Sequence, residues 1–227
     1  MTNRLIAPAV SATAIVAAAG LMLVACLGGT QDPGNPAPAG ADALADSANE
    51  VWPSGQIPYV VDPSFRASSS HISTVMRRWE NGTPVRFIPR RPSDEAYVLI
   101  TEGDCTTHDV GKTTVVEADS ACLGHELGHA LGLTHEHQRP DRNRYVTVTP
   151  PWYWFGRGKA QYAIRQQRLC RPYDLGSIMH YRVNYIVPKP GLEITQKNNE
   201  PSAADLLSVR QLYGAAPCTP PTYEAGP

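Results

Sequence analysis

The segment from His125 to His135, HELGHALGLTH, places histidines and a carboxylate at a spacing that can do metal chemistry. Histidines four apart on a helix lie one turn apart on one face, about 6 Å along the axis, so His125 and His129 can converge on one ion. Glu126 stands next to them. This spacing suits two zinc–nitrogen bonds of about 2.0–2.1 Å, with a carboxylate beside the metal's open position.

A third imidazole cannot arrive by continuing the helix, because His135 would lie about 9 Å beyond His129 along the axis and on another face. Gly132 removes the difficulty. Glycine takes the left-handed conformation that ends a helix, which lets the chain turn back and bring His135 under the ion. Five fixed positions, each met about one time in twenty, arise by chance at fewer than about one starting point in a million. An ordinary helix with surface histidines is the weaker reading.

The elements that must hold this segment precede it. IPYVVD (57–62) is a β-branched and aromatic run bounded by Gly55 and Pro63, hence a strand. Ile72, Val75, Met76 and Trp79 follow the i, i+3, i+4, i+7 spacing behind Ser68, Ser69 and Ser70, which predicts an amphipathic helix ending at Asn81-Gly82. Strands are expected at 84–89 and 96–101, with a weaker one at 113–118. The order predicts a mixed sheet backed by helices, an α+β or α/β half-domain, and α+β is the fold class expected for the chain. Past residue 137 the chain is rich in Pro, Tyr and Arg, with helices expected around 154–167 and 202–213.

With 227 residues, 42% hydrophobic and 18% charged, the chain can bury one good core, and its net charge of −1 lacks the basic field with which nucleic-acid binders neutralise phosphates. No nucleic acid partner is expected. Residues 1–25 carry Arg4 and then an uncharged Ala-, Val- and Leu-rich run, the layout of an export signal. Their end, Leu23-Val24-Ala25-Cys26, resembles the lipobox of bacterial lipoproteins, which implies removal of the signal and lipidation of Cys26. The alternative is an uncleaved anchor, since about 20 apolar residues span a bilayer. Either way the body lies outside the cytoplasm, secreted or membrane-anchored at the cell envelope. Residues 26–50, rich in Gly, Pro, Ala and Asp, form a flexible tether. The folded domain is expected over 51–218, with 219–227 as a tail.

Lipidation of Cys26 leaves Cys105, Cys122, Cys170 and Cys218, an even four in a compartment where disulfides persist. Four cysteines permit three pairings. Nearest-neighbour pairing, Cys105 with Cys122 and Cys170 with Cys218, is the expected one.

HELGHALGLTHEHQRPDR (125–142) resembles the zinc signature of the astacins, a branch of the metzincin endopeptidases, through His125, Glu126, His129, Gly132, His135, Glu136, Arg139, Asp141 and Arg142. SIMHY (177–181) is similar to the family's Met-turn, in which Met179 would form an apolar floor under the metal and Tyr181 would supply a phenol near it. VWPSGQIPYVVDPSF (51–65) and VRFIPR (85–90) also resemble the family. The resemblance implies a zincin-like fold with a cleft between a sheet-bearing upper half and an irregular lower half. It also implies one Zn2+ per chain on His125, His129 and His135, with Tyr181 a ligand at rest. Glu126 would then be the general base and Tyr181 the oxyanion donor in hydrolysis of protein or peptide substrates, by a protein expected to be a monomer. An edge strand drawn from 106–117 would hold the substrate backbone.

Other residues get plainer readings. His180 is read as a packed, hydrogen-bonded histidine, and His137, His71 and His108 as surface or loop residues. RPDRNR (139–144) is read as a solvated charge run in which Arg139 and Asp141 give local ion-pair scaffolding, and Arg182 as a candidate for lining a pocket for an acidic side chain.

The sequence departs from the family in three places. Residues 27–50 lack the Phe-x-Gly-Asp motif with which astacin pro-segments block the zinc. In mature astacins a freed N-terminus lies near the residue matching Glu136. Here that contact requires a cut near 41–45, or Glu136 is solvated or paired with another group such as an arginine. Thr83-Pro84 also stands where the family's long-range disulfide begins, so if Cys105 and Cys122 pair as in the family, Cys170 is the partner left for Cys218. The rival class is a surface-displayed binding or adhesion lipoprotein that keeps the metal fold without turnover. Glu126 argues against it, because a structural zinc site has no need of a general base. A metalloenzyme acting on a small molecule fits three-histidine zinc but not the Met-turn.

Overall fold

The computed structural model describes residues 51–151, 160–165, 170–197 and 199–219. The export signal of 1–25, Cys26, the tether of 26–50, most of the helix expected at 154–167 and most of the 219–227 tail lie outside the described residues.

Strand β1 (Gln56–Val61) lies next to one edge of a five-stranded sheet. β2 (Arg86–Pro89) and β3 (Tyr97–Glu102) run parallel to it on either side, Ile57 opposite Phe87 and Tyr59 opposite Val98. β5 (Thr113–Ala118) is parallel to β3, and β4 (Thr106–Val110) closes the order β2-β1-β3-β5-β4 antiparallel to β5. β4 has no hydrophobic alternation to announce it. Of its five residues only Thr107 is buried, so the pattern alone does not mark the strand, but it falls within 106–117, where the resemblance leads one to expect an edge strand.

Helix α1 (Ser69–Glu80) follows the predicted stripe. Ser68 caps it by accepting from the His71 N–H at 3.2 Å, and Ile72, Val75, Met76 and Trp79 are its buried residues. Helix α2 (Leu123–Ala130) is buried at all eight positions, as a helix between a sheet and other elements must be. Leu123 and Leu127 join Ile57, Val98, Ile100 and Trp79 in one core. The Trp79 indole donates to the Gly124 carbonyl at 2.9 Å, fixing α1 against α2.

The second half is irregular. β6 (Val146–Val148) and β7 (Ile186–Pro188) form a small antiparallel pair over a separate cluster of Val146, Tyr162, Tyr173, Tyr181 and Ile186. Helix α3 (Ala203–Leu212) begins with a capping box of Ser202 and Asp205. Both disulfides have the nearest-neighbour pairing: Cys105–Cys122 ties the start of β4 to the N-terminus of α2, and Cys170–Cys218 closes the second half. The mixed sheet with few helices is an α+β fold. No helix among the described residues is long and apolar enough to cross a membrane.

Candidate metal centre

Helix α2 brings His125 and His129 to one face, and the chain reverses at Gly132 as its residue type requires. Gly132 has φ +94°, its N–H reaches the His129 carbonyl at 2.8 Å, and the Leu133 N–H reaches back to Gly128 at 3.0 Å. His135 then meets the other two. Its Nε2 lies 3.2 Å from Nε2 of His125 and 3.0 Å from Nε2 of His129. Two ligands of a tetrahedral zinc with bonds of about 2.0–2.1 Å stand about 3.3–3.4 Å apart, so these imidazoles need almost no rearrangement to hold one ion.

The far nitrogen of each ring decides its tautomer. Nδ1 of His125 faces the Ile178 carbonyl at 2.7 Å, that of His129 faces the Leu133 carbonyl at 2.9 Å, and that of His135 faces Oε1 of Gln138 at 3.2 Å. Each Nδ1 therefore carries the proton and donates it, leaving an Nε2 lone pair directed at the common point. Burial pushes His129 down to about 4 and His135 well below the ordinary imidazole value, helped in His135 by the neighbouring histidines. Neutral rings with converging lone pairs fit a soft divalent cation, and the donor set of three imidazoles suits zinc.

Glu126 is 1% exposed, and its Oε2 accepts from the Thr107 hydroxyl on β4 at 2.8 Å. The same hydroxyl lies 3.1 Å from the Glu126 carbonyl. Tyr181 is buried with its ring centroid 4.2 Å from that of His135 and 6.0 Å from that of His125. Met179 lies beneath α2. A Cβ on Gly128 would come within 2.5 Å of the Met179 sulfur and 3.0 Å of the Trp79 ring, so the glycine between the two histidines is what lets the turn approach.

The 177–181 turn is pinned from α3. The Asp205 carboxylate accepts from the Ser177 hydroxyl at 2.6 Å and from the Ile178 and Ser202 N–H groups at 2.8 and 2.9 Å. Burial raises its pKa against these donors, which lower it. The Ile178 carbonyl that receives His125 also accepts from Gln196 at 3.0 Å. The backbone Glu136 N–H donates to the Met179 carbonyl at 3.0 Å, so the strand-like segment after Gly132 is laced to the same turn.

Glu136 finds its partner in an arginine. Arg171 grips it bidentately, with both N···O distances 2.9 Å, Asp174 donates its backbone N–H at 2.7 Å, and Arg139 stands 3.3 Å away. Arg139 is itself bidentate on Asp141, at 2.9 and 2.8 Å. Two arginines and two carboxylates thus balance in a buried network, as such groups must to be buried at all.

Two sequence expectations are corrected here. RPDRNR is not a solvated run: Arg139, Asp141 and Arg142 are buried, and Arg142 donates to the His137 and Tyr162 carbonyls. His137 is not a surface or loop residue. It is fully buried, 4.5 Å from the Tyr181 ring and 5.1 Å from that of His135, with Nε2 2.9 Å from the Gln161 carbonyl. The surrounding aromatic rings supply the apolar walls that pattern reading around a charged segment did not reveal. His180 is packed as expected, between the Tyr173 hydroxyl at 2.7 Å and the Tyr181 carbonyl at 2.8 Å. His71, His108 and Arg182 are half-buried. Thr107, Gln138, Arg171, Gln196 and Asp205 escaped sequence reading. Only Asp205 had a local signal, its place three residues after Ser202.

The family model described as Astacin (Peptidase family M12A) matches residues 45–213. Among curated proteins, the zinc metalloproteinase nas-39 of Caenorhabditis elegans is 34% identical over 206 residues, 78% of this chain and 22% of that protein. Blastula protease 10 of Paracentrotus lividus is 36% identical over 151 residues, 59% of this chain and 25% of that protein. The chain thus spans a quarter or less of the length of these two relatives. Among solved structures, high choriolytic enzyme 1, a hatching-enzyme zinc protease of the medaka fish Oryzias latipes, is similar with a TM-score of 0.61 and 25% identity. The match covers 76% of this chain and 96% of that one.

Proposed function

The chain belongs to the astacin family, peptidase family M12A, and from that premise we propose that it is a zinc-dependent endopeptidase acting on proteins or peptides. The observation that carries the reading is the convergence of three Nε2 lone pairs on one point beside a buried carboxylate. His125, His129 and His135 would hold one zinc per chain, and Tyr181, by the family resemblance, would be a fourth ligand at rest. The ion supplies Lewis acidity that makes a water acidic and polarises a peptide carbonyl.

The protein's own groups then divide the proton work. Glu126 accepts the proton of the attacking water and later gives it to the departing amine, so that acid and base balance over one turnover. Its near-complete burial suits a base that must not exchange with bulk solvent. Tyr181 donates its phenol hydrogen bond to the carbonyl oxygen as negative charge develops there. Gly132 and Met179 shape the site, Gly132 by reversing the chain and Met179 by closing it from below. An extended substrate adds to the free side of β4, one of the sheet's two edge strands, through main-chain hydrogen bonds.

The domain organisation belongs to the same proposal. Residues 1–25 direct export, Cys26 carries a lipid, 26–50 tether the peptidase domain of 51–218 to a membrane, and 219–227 form a tail. Two disulfides support a compartment outside the reducing cytoplasm. The enzyme works as a monomer, since one chain supplies every group named.

The test is proteolysis of an unfolded protein and a peptide library by the purified protein, with and without chelator, beside Glu126→Gln. Chelator-sensitive cleavage that Glu126→Gln reduces by at least about 100-fold while keeping one zinc is expected. A wild type that binds zinc at one equivalent and cleaves nothing would overturn the proposal.

A further inference from the structure

Thr107 is the one residue of β4 whose side chain is fully buried, and it spends that burial on a hydroxyl. A valine would pack there as well and would suit a strand better than a polar group in the core. What the hydroxyl gains is Glu126: it is 2.8 Å from Oε2 and 3.1 Å from the carbonyl of the same residue. A hydroxyl has one proton, and the shorter contact to a charged acceptor is the stronger claim on it.

The hydroxyl is held on a stiff frame. Threonine is β-branched, so its χ1 has few choices, and Thr107 sits in register opposite Val116 of β5. Two residues before it, Cys105 is bonded to Cys122, four residues before Glu126. The strand and the helix that carry the two ends of the hydrogen bond are therefore joined covalently within one turn of the contact.

We propose that Thr107 is a positioning residue for catalysis: through Oε2 it sets the rotation of the Glu126 carboxylate, and so where Oε1 stands relative to the three histidines. The inference rests on the endopeptidase reading above. It also gives β4 two linked tasks. The free edge of the strand aligns the substrate backbone, while its inward hydroxyl aligns the base, so a displacement of the strand moves both together. Misplacement of a reacting group by about 1 Å can cost about 100-fold in rate, which sets the scale of the effect.

The experiment compares wild type, Thr107→Val and Thr107→Ser on a peptide that wild type cleaves, recording kcat, KM, zinc content and thermal midpoint. Thr107→Val is expected to lower kcat about 10- to 100-fold with KM within about twofold, one bound zinc and a midpoint near that of wild type. Thr107→Ser, which keeps the hydroxyl, is expected to hold kcat within about threefold. An unchanged kcat in Thr107→Val overturns the inference, and so does a Thr107→Ser variant as impaired as Thr107→Val. Loss of zinc or early melting in Thr107→Val assigns the hydroxyl a structural role and also overturns it. A wild type that cleaves nothing sinks the endopeptidase reading and this inference together. An active wild type matched by Thr107→Val sinks the inference alone.

Discussion

Gln138 shows how much of a metal site lies behind its ligands. Its Oε1 takes the Nδ1 proton of His135, and its Nε2 donates to the Gln161 carbonyl at 2.9 Å, so the side chain is itself held. Replacing it with leucine keeps the bulk and removes the acceptor that fixes the His135 tautomer. Gln138→Leu is expected to weaken zinc binding about 10- to 100-fold, measured by competition with a chelator of known affinity. At this scale the sequence was informative where geometry is local. His125, Glu126, His129 and Gly132 declare themselves because helical periodicity and one left-handed glycine fix their relations within eight residues. Gln138 and Thr107 do not. Both act on the site through side chains whose neighbours are set by tertiary packing, and no spacing rule marks them.

Among elements, the segment after α2 is bound to the lower half by charge. Arg171 connects Glu136 to α3, where its Nε donates to Ser208 at 2.6 Å. Arg171→Met removes one partner and leaves a buried carboxylate with too little compensation, a loss expected at about 3–5 kcal/mol of stability in denaturant unfolding. Adding Glu136→Gln is expected to recover much of that loss, since the pair costs least when both charges go. A double variant no more stable than Arg171→Met would refute this account. The strands and helices that carry hydrophobic periodicity, β1, β3, α1 and α3, were readable from the chain. β4 is legible only through the family resemblance, which points to an edge strand in 106–117, because TTHDV has one inward residue and offers no pattern to count. In the charged 139–144 run the expected Arg139–Asp141 ion pair is present but buried: composition says solvent, while a paired arginine and aspartate can enter a core together.

For the molecule as a whole, metal and fold should be thermodynamically linked. Three buried imidazoles with lone pairs aimed at each other repel weakly without an ion, and an ion that binds only the folded state stabilises it in proportion to its affinity. Chelation is expected to lower the thermal midpoint by several degrees, with recovery on adding back one equivalent of zinc. An unchanged midpoint would mean that no ion binds the folded state in preference to the unfolded one. The mixed sheet of the first half is legible in the chain because its strands and helix obey period and alternation, whereas the two-part layout follows from the family resemblance. Sequence reading could not see that the second half is held by named polar contacts.

One of those contacts bears on when the site can first be complete. Asp205, at the start of α3, holds the 177–181 turn, and that turn supplies the carbonyl that orients His125. The oldest part of the site, made first during synthesis, thus waits for a carboxylate made eighty residues later. Until Asp205 is made, the chain has its three histidines and Glu126 but lacks the contacts that hold the 177–181 turn, so on the proposed function synthesis order would delay cutting until nearly the whole domain is complete.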